Sequence, residues 1–218
     1  MEPKLRVGIV VGSTRPGRNA EAVASWVERI ARERSDVEVE LVDLRAFPLP
    51  HLDEPLPASV GRYAQEHTRA WAAKVASLDA FVFVTPEYNH SFPAVLKNAL
   101  DYVYAEWNDK VAGFVGYGSS GGVRAVEQLR LVMAELQVAT VRAQGALFLA
   151  TDFEGYRLFR PDPARATPVR VMLDQLVTWG RALRTVRASR EPIAKPSAAR
   201  PPAPASSQGT PAASSATG

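Results

Sequence analysis

Apolar and polar positions fall in alternating blocks along this chain. Short apolar runs rich in β-branched residues recur at LRVGIVV (Leu5–Val11), VEVELVDL (Val37–Leu44), DAFVFVT (Asp79–Thr85), KVAGFVGYG (Lys110–Gly118) and within VATVRAQGALFL (Val138–Leu149). They read as five buried strands. Between them the apolar residues take helical spacing over Ala20–Arg34, Ser59–Ser77, Phe92–Glu106 and Gly122–Leu136, with a last helix near Pro168–Arg187. Strands that are apolar at nearly every position have both faces covered, so the pattern predicts a parallel sheet between two helical layers.

For five such strands the pattern predicts an α/β fold, a doubly wound parallel sheet in the flavodoxin-like order 2-1-3-4-5. It spans residues 1–189 as one domain. In such a sheet a ligand sits beyond the carboxyl ends of the strands, near the switch point between the first and third. Three loops rich in Gly, Pro and small polar residues fall there: GSTRPGRN after the first strand, PEYNHSFP after the third and GSSGGVR after the fourth.

The first loop looks suited to a phosphate but matches neither standard motif. A P-loop needs GxxxxGK and then Ser or Thr, and here Arg18 and Asn19 follow the second glycine, so the magnesium-binding hydroxyl is missing. A dinucleotide fingerprint needs GxGxxG, and position 14 is Thr. What remains is hydroxyls from Ser13 and Thr14, guanidinium groups from Arg15 and Arg18 and the amide of Asn19, beside a helix N-terminus. That set suits one terminal phosphate. The plainer reading is a strand-to-helix turn shaped by Pro16 and Gly17, with its arginines in solvent.

Composition removes whole classes of chemistry. The chain has 218 residues, 46% of them hydrophobic, and no cysteine, so disulfides, thiolate catalysis and Cys-ligated metal are excluded. Redox work must then come from a bound cofactor. His51, His67 and His90 show no metal-ligand spacing, so no metal site is expected. No run reaches the ~18 apolar residues of a membrane span, and MEPKLRVG lacks a signal-peptide core, so a cytoplasmic protein is expected. The net charge of +3 invites a nucleic-acid reading. However, the residues from Arg190 onward carry three basic and one acidic side chain, which leaves +1 for the rest, without a basic run interleaved with aromatics. Residues 190–218, rich in Pro, Ala and Ser, have too little to bury and are expected to be disordered.

GSTRPGRN, DLRAFPLPHLDE (Asp43–Glu54), TPEYNHSFPAVLKNALDY (Thr85–Tyr102) and GSSGG (Gly118–Gly122) resemble the signature segments of the NAD(P)H-dependent FMN reductases, a flavodoxin-like group that includes quinone, chromate and azo-dye reductases. The resemblance covers roughly residues 5–187, and its PEYN...KNALD block is the most specific part. It implies FMN as cofactor, NADPH or NADH as hydride donor and a small-molecule acceptor such as a quinone. It also implies that Ser13, Thr14, Arg15, Arg18 and Asn19 hold the FMN phosphate. Pro86, Glu87, Tyr88 and Asn89 would meet the isoalloxazine, largely through backbone groups, and Gly118, Ser119, Ser120, Gly121 and Gly122 would line its other side. The resemblance says nothing of residues 190–218.

A flavin site needs no side-chain catalyst, since the cofactor carries the hydride chemistry, and none is evident. Glu87 could pass for a general base or be a carboxylate satisfied by local N–H groups. Tyr88 could stack near the ring or merely fill its loop. His90 is expected to support the turn into the third helix. Arg124 could meet the adenine-ribose phosphate of NADPH or sit solvated. Two functional classes follow: a two-electron reductase working in alternating half-reactions, or an electron carrier or FMN-binding module without turnover. The near-neutral charge of residues 1–189 favours the enzyme, because carriers usually present a strong field of one sign.

The third helix adds an expectation about assembly. On a wheel over Phe92–Glu106, extended to Trp107, the apolar residues cover an arc of about 200°, wider than the roughly 100° needed to cover a sheet. The surplus reads as an isologous dimer surface, which the resemblance also implies, or as an aromatic helix end lining the crevice; the assembly expected is a homodimer or homotetramer.

Overall fold

The computed structural model describes residues 3–189; the expectation for 190–218 lies outside the described residues. Five parallel strands, β1 (Leu5–Val11), β2 (Val37–Asp43), β3 (Ala80–Pro86), β4 (Val111–Gly118) and β5 (Ala139–Phe148), form one sheet in the order β2-β1-β3-β4-β5. This is the flavodoxin-like order that the apolar runs predict.

Side chains divide between the two faces with the period of two that a strand imposes. Val7, Ile9, Val82, Val84, Val111 and Val115 pack against α1 (Ala20–Arg32) and the 24-residue last helix, Ala166–Ser189. Val10, Phe81, Phe83, Ala112 and Phe114 pack against α2 (Glu66–Ala76), α3 (Ala94–Asp101) and α4 (Val123–Glu135). Near the end of β5, α5 (Leu149–Asp152) leads into a two-stranded antiparallel hairpin, β6 (Phe153–Glu154) and β7 (Leu158–Phe159), and the chain then enters the last helix, α6 (Ala166–Ser189).

Two helices are shorter than their periodicity suggests. The expected helix from Ser59 is a 3-10 turn, Ala58–Val60, stopped by Gly61 at φ 66°, and α2 begins at Glu66. The Glu54 carboxylate accepts from the amides of Ala64 and Gln65 at 2.8 and 3.0 Å, which fixes where the helix starts.

The third helix ends at Asp101 rather than Glu106. Tyr102, Val103 and Trp107 leave the helix and turn into the core at 0%, 1% and 0% exposure. The Trp107 ring meets Phe81 edge-on at 4.8 Å and its indole N–H donates to the Leu100 carbonyl. Much of the surplus in the wide apolar arc therefore belongs to residues past the end of the helix and is spent inside the chain, while Phe92, Val95 and Tyr104 stay partly exposed.

Candidate functional site

At the carboxyl edge of the sheet the loops after β1, β3 and β4 border a cavity of about 630 Å³, within the usual range for small-ligand sites. Of the candidate residues, Arg15, Arg18, Asn19, Pro86, Glu87, Tyr88 and Gly118 line it, with Pro16 and Gly17 of the first loop beside them. Four further lining residues escaped the sequence reading: Tyr117, Leu149, Tyr156 and Arg157. Ser13, Thr14, Asn89, Ser119, Ser120, Gly121 and Gly122 lie in the same loops without lining the cavity.

Ser13, Asn89, Gly121 and Gly122 shape the loops that border it. Ser13 is buried, and its Oγ lies 3.0 Å from the Tyr88 hydroxyl, joining the first loop to the second. Tyr88 and Ser91 exchange backbone hydrogen bonds of 2.8 and 3.1 Å around Asn89 and His90, whose φ values are 49° and 73°. Positive φ at both central positions is the requirement of a type I′ hairpin turn. His90 is exposed at this turn, outside the lining. Gly122, at φ 69°, lies so close to β4 that a Cβ there would stand 2.4 Å from the Tyr117 amide nitrogen. The glycines after β4 thus let the loop fold back on its own strand.

Charge is distributed unevenly among the site residues. The Arg18 side chain is 2% exposed and pairs with both Asp43 at the end of β2 and Glu21 in α1, at 2.6 Å each, while also donating to the Ser13 carbonyl. Burial alone would depress its pKa, but the hydrogen bonds to Asp43 and Glu21 prevail and raise it. Arg18 therefore braces the loop against β2. The Glu87 carboxylate, 4% exposed, accepts from the Arg124 amide at 3.2 Å and pairs with the Arg124 guanidinium. The Glu87 carboxylate is thus satisfied not by its own loop but by Arg124 at the start of α4, through both the amide and the guanidinium. Burial, with Tyr88 adding to it, pushes the Tyr117 phenol upward, so it stays protonated.

Arg15 and Arg157 differ from the rest. Both are exposed and line the cavity, and neither guanidinium makes an ion pair or hydrogen bond among the described residues. Asn19, the N-cap of α1, makes no capping bond with its side chain; its amide donates instead to the Tyr156 carbonyl at 3.1 Å. The first-turn N–H groups of α1 are left without a side-chain acceptor, beside two unneutralised cations. These groups fit a phosphate-bearing cofactor of one terminal phosphate.

The profile of the NADPH-dependent FMN reductases matches residues 5–152. The chain belongs to that family. A NAD(P)H-dependent FMN reductase of Schizosaccharomyces pombe is 42% identical over 149 residues, covering 67% of this chain and 74% of its own. A 2-hydroxy-1,4-benzoquinone reductase of a Burkholderia species is 34% identical over 143 residues, covering 62% and 73%. Among solved structures, a flavoenzyme NAD(P)H:(acceptor) oxidoreductase of Paracoccus denitrificans superposes with a TM-score of 0.64 at 23% identity, over 82% of this chain and 98% of that one; this likeness supports the fold. Membership decides between enzyme and carrier: the chain is an oxidoreductase that uses FMN and a reduced nicotinamide. No helix among the described residues is long and apolar enough to cross a membrane.

Proposed function

We propose that this FMN reductase moves two electrons from NAD(P)H to quinones or similar small acceptors through one cavity that both substrates visit in turn. The observation that carries the reading is the pair of uncommitted arginines in a cavity bounded by the three loops at the sheet switch point. Arg15 holds the phosphate with the first-turn amides of α1, while Ser13, Thr14 and Asn19 shape the loop and Arg18 braces it. Pro86 and the Tyr88 ring face the flavin. The amides of Glu87 and Tyr88 are already spent on Tyr117 and Ser91. Glu87, Asn89 and the Gly118–Gly122 turn hold these walls in place.

Bound FMN supplies the hydride chemistry. The chain's part is to orient and to exclude: three walls cover one side of the cavity and leave a face that admits one planar substrate. The oxidised nicotinamide must leave before an acceptor enters. A quinone that takes a hydride and one solvent proton departs as hydroquinone. The homodimer or homotetramer expected from sequence rests mainly on the family resemblance, since much of the helical-wheel surplus is buried within the chain. Sedimentation equilibrium of the full chain reads it directly.

Steady-state kinetics with NADPH and benzoquinone test the shared cavity. Parallel double-reciprocal lines are expected. Intersecting lines, with a ternary complex trapped under anaerobic conditions, contradict it.

A further inference from the structure

The family match ends at residue 152, and the chain then continues directly into the β6–β7 hairpin. The hairpin is firmly rooted. Phe153 is buried, with its ring 5.9 Å from Tyr117 and 5.0 Å from Phe159, and Phe159 meets Trp26 of α1 edge-on at 5.6 Å. The wholly buried Asp152 clamps its base. Its carboxylate accepts from the Phe148 amide at 2.7 Å and from Arg165 at 2.9 Å, and its carbonyl accepts from the Arg160 amide at 2.9 Å.

The turn of the hairpin is presented to the cavity. Gly155 and Tyr156 take φ values of 57° and 61°, and the Tyr156 carbonyl is held by the Asn19 amide at the N-cap of α1. Arg157, the next residue, is therefore placed at the phosphate end of the cavity. Charge pairing within the hairpin does not engage it: Glu154 pairs with Arg160 at 2.9 Å, and no carboxylate among the described residues takes Arg157.

We propose that the hairpin is the second half of the phosphate site, with Arg157 donating to the same terminal phosphate that Arg15 takes from the opposite loop. The proposal rests on the reading of the cavity as an FMN site. A phosphate dianion offers three acceptor oxygens, and two planar guanidinium groups approaching from different elements satisfy more of them than one loop can. Asn19 has a distinct part here. Its amide fixes the hairpin turn, and so the position of Arg157, while leaving the helix N-terminus open. The chain thereby gains a preference for the phosphorylated flavin that residues beyond the family match supply.

The test compares FMN with riboflavin, which has the same ring and ribityl chain but no phosphate. Apoprotein of the full chain and of Arg157→Gln is titrated with each flavin by quenching of flavin fluorescence. Because Arg157 is exposed, the variant is expected to melt with the wild type. Its FMN dissociation constant should rise about tenfold, the lower end for a lost charge-assisted hydrogen bond, while its riboflavin constant stays put. Asn19→Ala should reproduce part of the FMN loss by freeing the turn. If Arg157→Gln binds FMN as tightly as the wild type, or loses FMN and riboflavin equally, the proposal is overturned while the FMN reading stands. A wild type that takes no FMN overturns both.

Discussion

The two edges of the sheet carry similar charges under opposite rules. At the amino edge, Asp79 is buried at the start of β3 and accepts from the Arg6 amide at 3.0 Å and the Arg187 guanidinium at 2.6 Å. Lys110, 4% exposed, donates to the Val75 carbonyl at 2.6 Å and so ties the end of α2 to the start of β4. Each of these groups has a partner within the chain. At the carboxyl edge the buried charges, Arg18 and Glu87, are paired as well, but Arg15 and Arg157 are left over. A fold gains nothing by leaving guanidinium groups without acceptors beside a helix N-terminus. The difference teaches that unpaired guanidinium groups converging on one cavity, rather than charge itself, mark the working end of the molecule.

Substitutions should therefore separate the edges, with stability lost at one and ligand lost at the other. The largest effect expected crosses that division. Gly122→Ala puts a methyl group against the β4 backbone at a left-handed position, and should cost on the order of 3 kcal/mol of apoprotein stability and take flavin content with it. Urea denaturation and flavin absorbance read both; a variant as stable as the wild type would mean the loop can relax. Next comes Arg187→Leu, which leaves Asp79 with Arg6 alone. We expect a loss of about 2 kcal/mol, below the full value for breaking a buried pair because Arg187 is partly exposed, and unchanged FMN affinity.

Arg15→Ala is the mirror image. FMN binding should weaken by roughly 1.5 to 3 kcal/mol, while apoprotein stability moves by less than about 0.5 kcal/mol. If the urea midpoint falls and the flavin affinity holds, the assignment of roles to the two edges is reversed.

The last effect concerns pH. Burial pushes the Lys110 pKa down to about 7, with Arg187 adding to the shift. The folded chain thus releases this proton near neutrality, whereas the unfolded chain keeps it to an ordinary 10.5. Between those values the unfolded state binds more protons, so this group's contribution to stability rises with pH. Wild type should gain on Lys110→Met as pH goes from 7 to 9. A constant difference between the two would show that Lys110 stays charged in its burial site.

Most of the scaffold was legible because buried parallel strands are apolar on both faces, and no other element reads as LRVGIVV or AFVFVT. The loops at the carboxyl edge were legible for the same reason, since strand order alone brings them together. What was not legible depended on distant partners. The bracing role of Arg18 is set by Asp43, 25 residues away in sequence, and from the loop alone it looks like a second phosphate ligand. The apolar spacing overstates helix three because it runs on through Tyr102, Val103 and Trp107, which the core claims after the helix has ended. The hairpin at Phe153–Phe159 has two residues in each strand, too few for a periodic signal. Its available clue was Gly155 between flanking aromatic and apolar residues, a turn signal that also marked Arg157.

The central claim is that the uncommitted arginines of the carboxyl edge hold the terminal phosphate of FMN. Phosphorus-31 NMR of the FMN-loaded full chain, titrated from pH 5 to pH 8, tests it most directly. A phosphate monoester free in water takes up its second proton with a pKa of roughly 6, and its resonance moves accordingly. Held by guanidinium groups and helix amides, the phosphate should stay dianionic and its resonance flat across that range. A resonance that titrates like that of free FMN, from protein that retains its flavin, would place the phosphate in solvent and contradict the account.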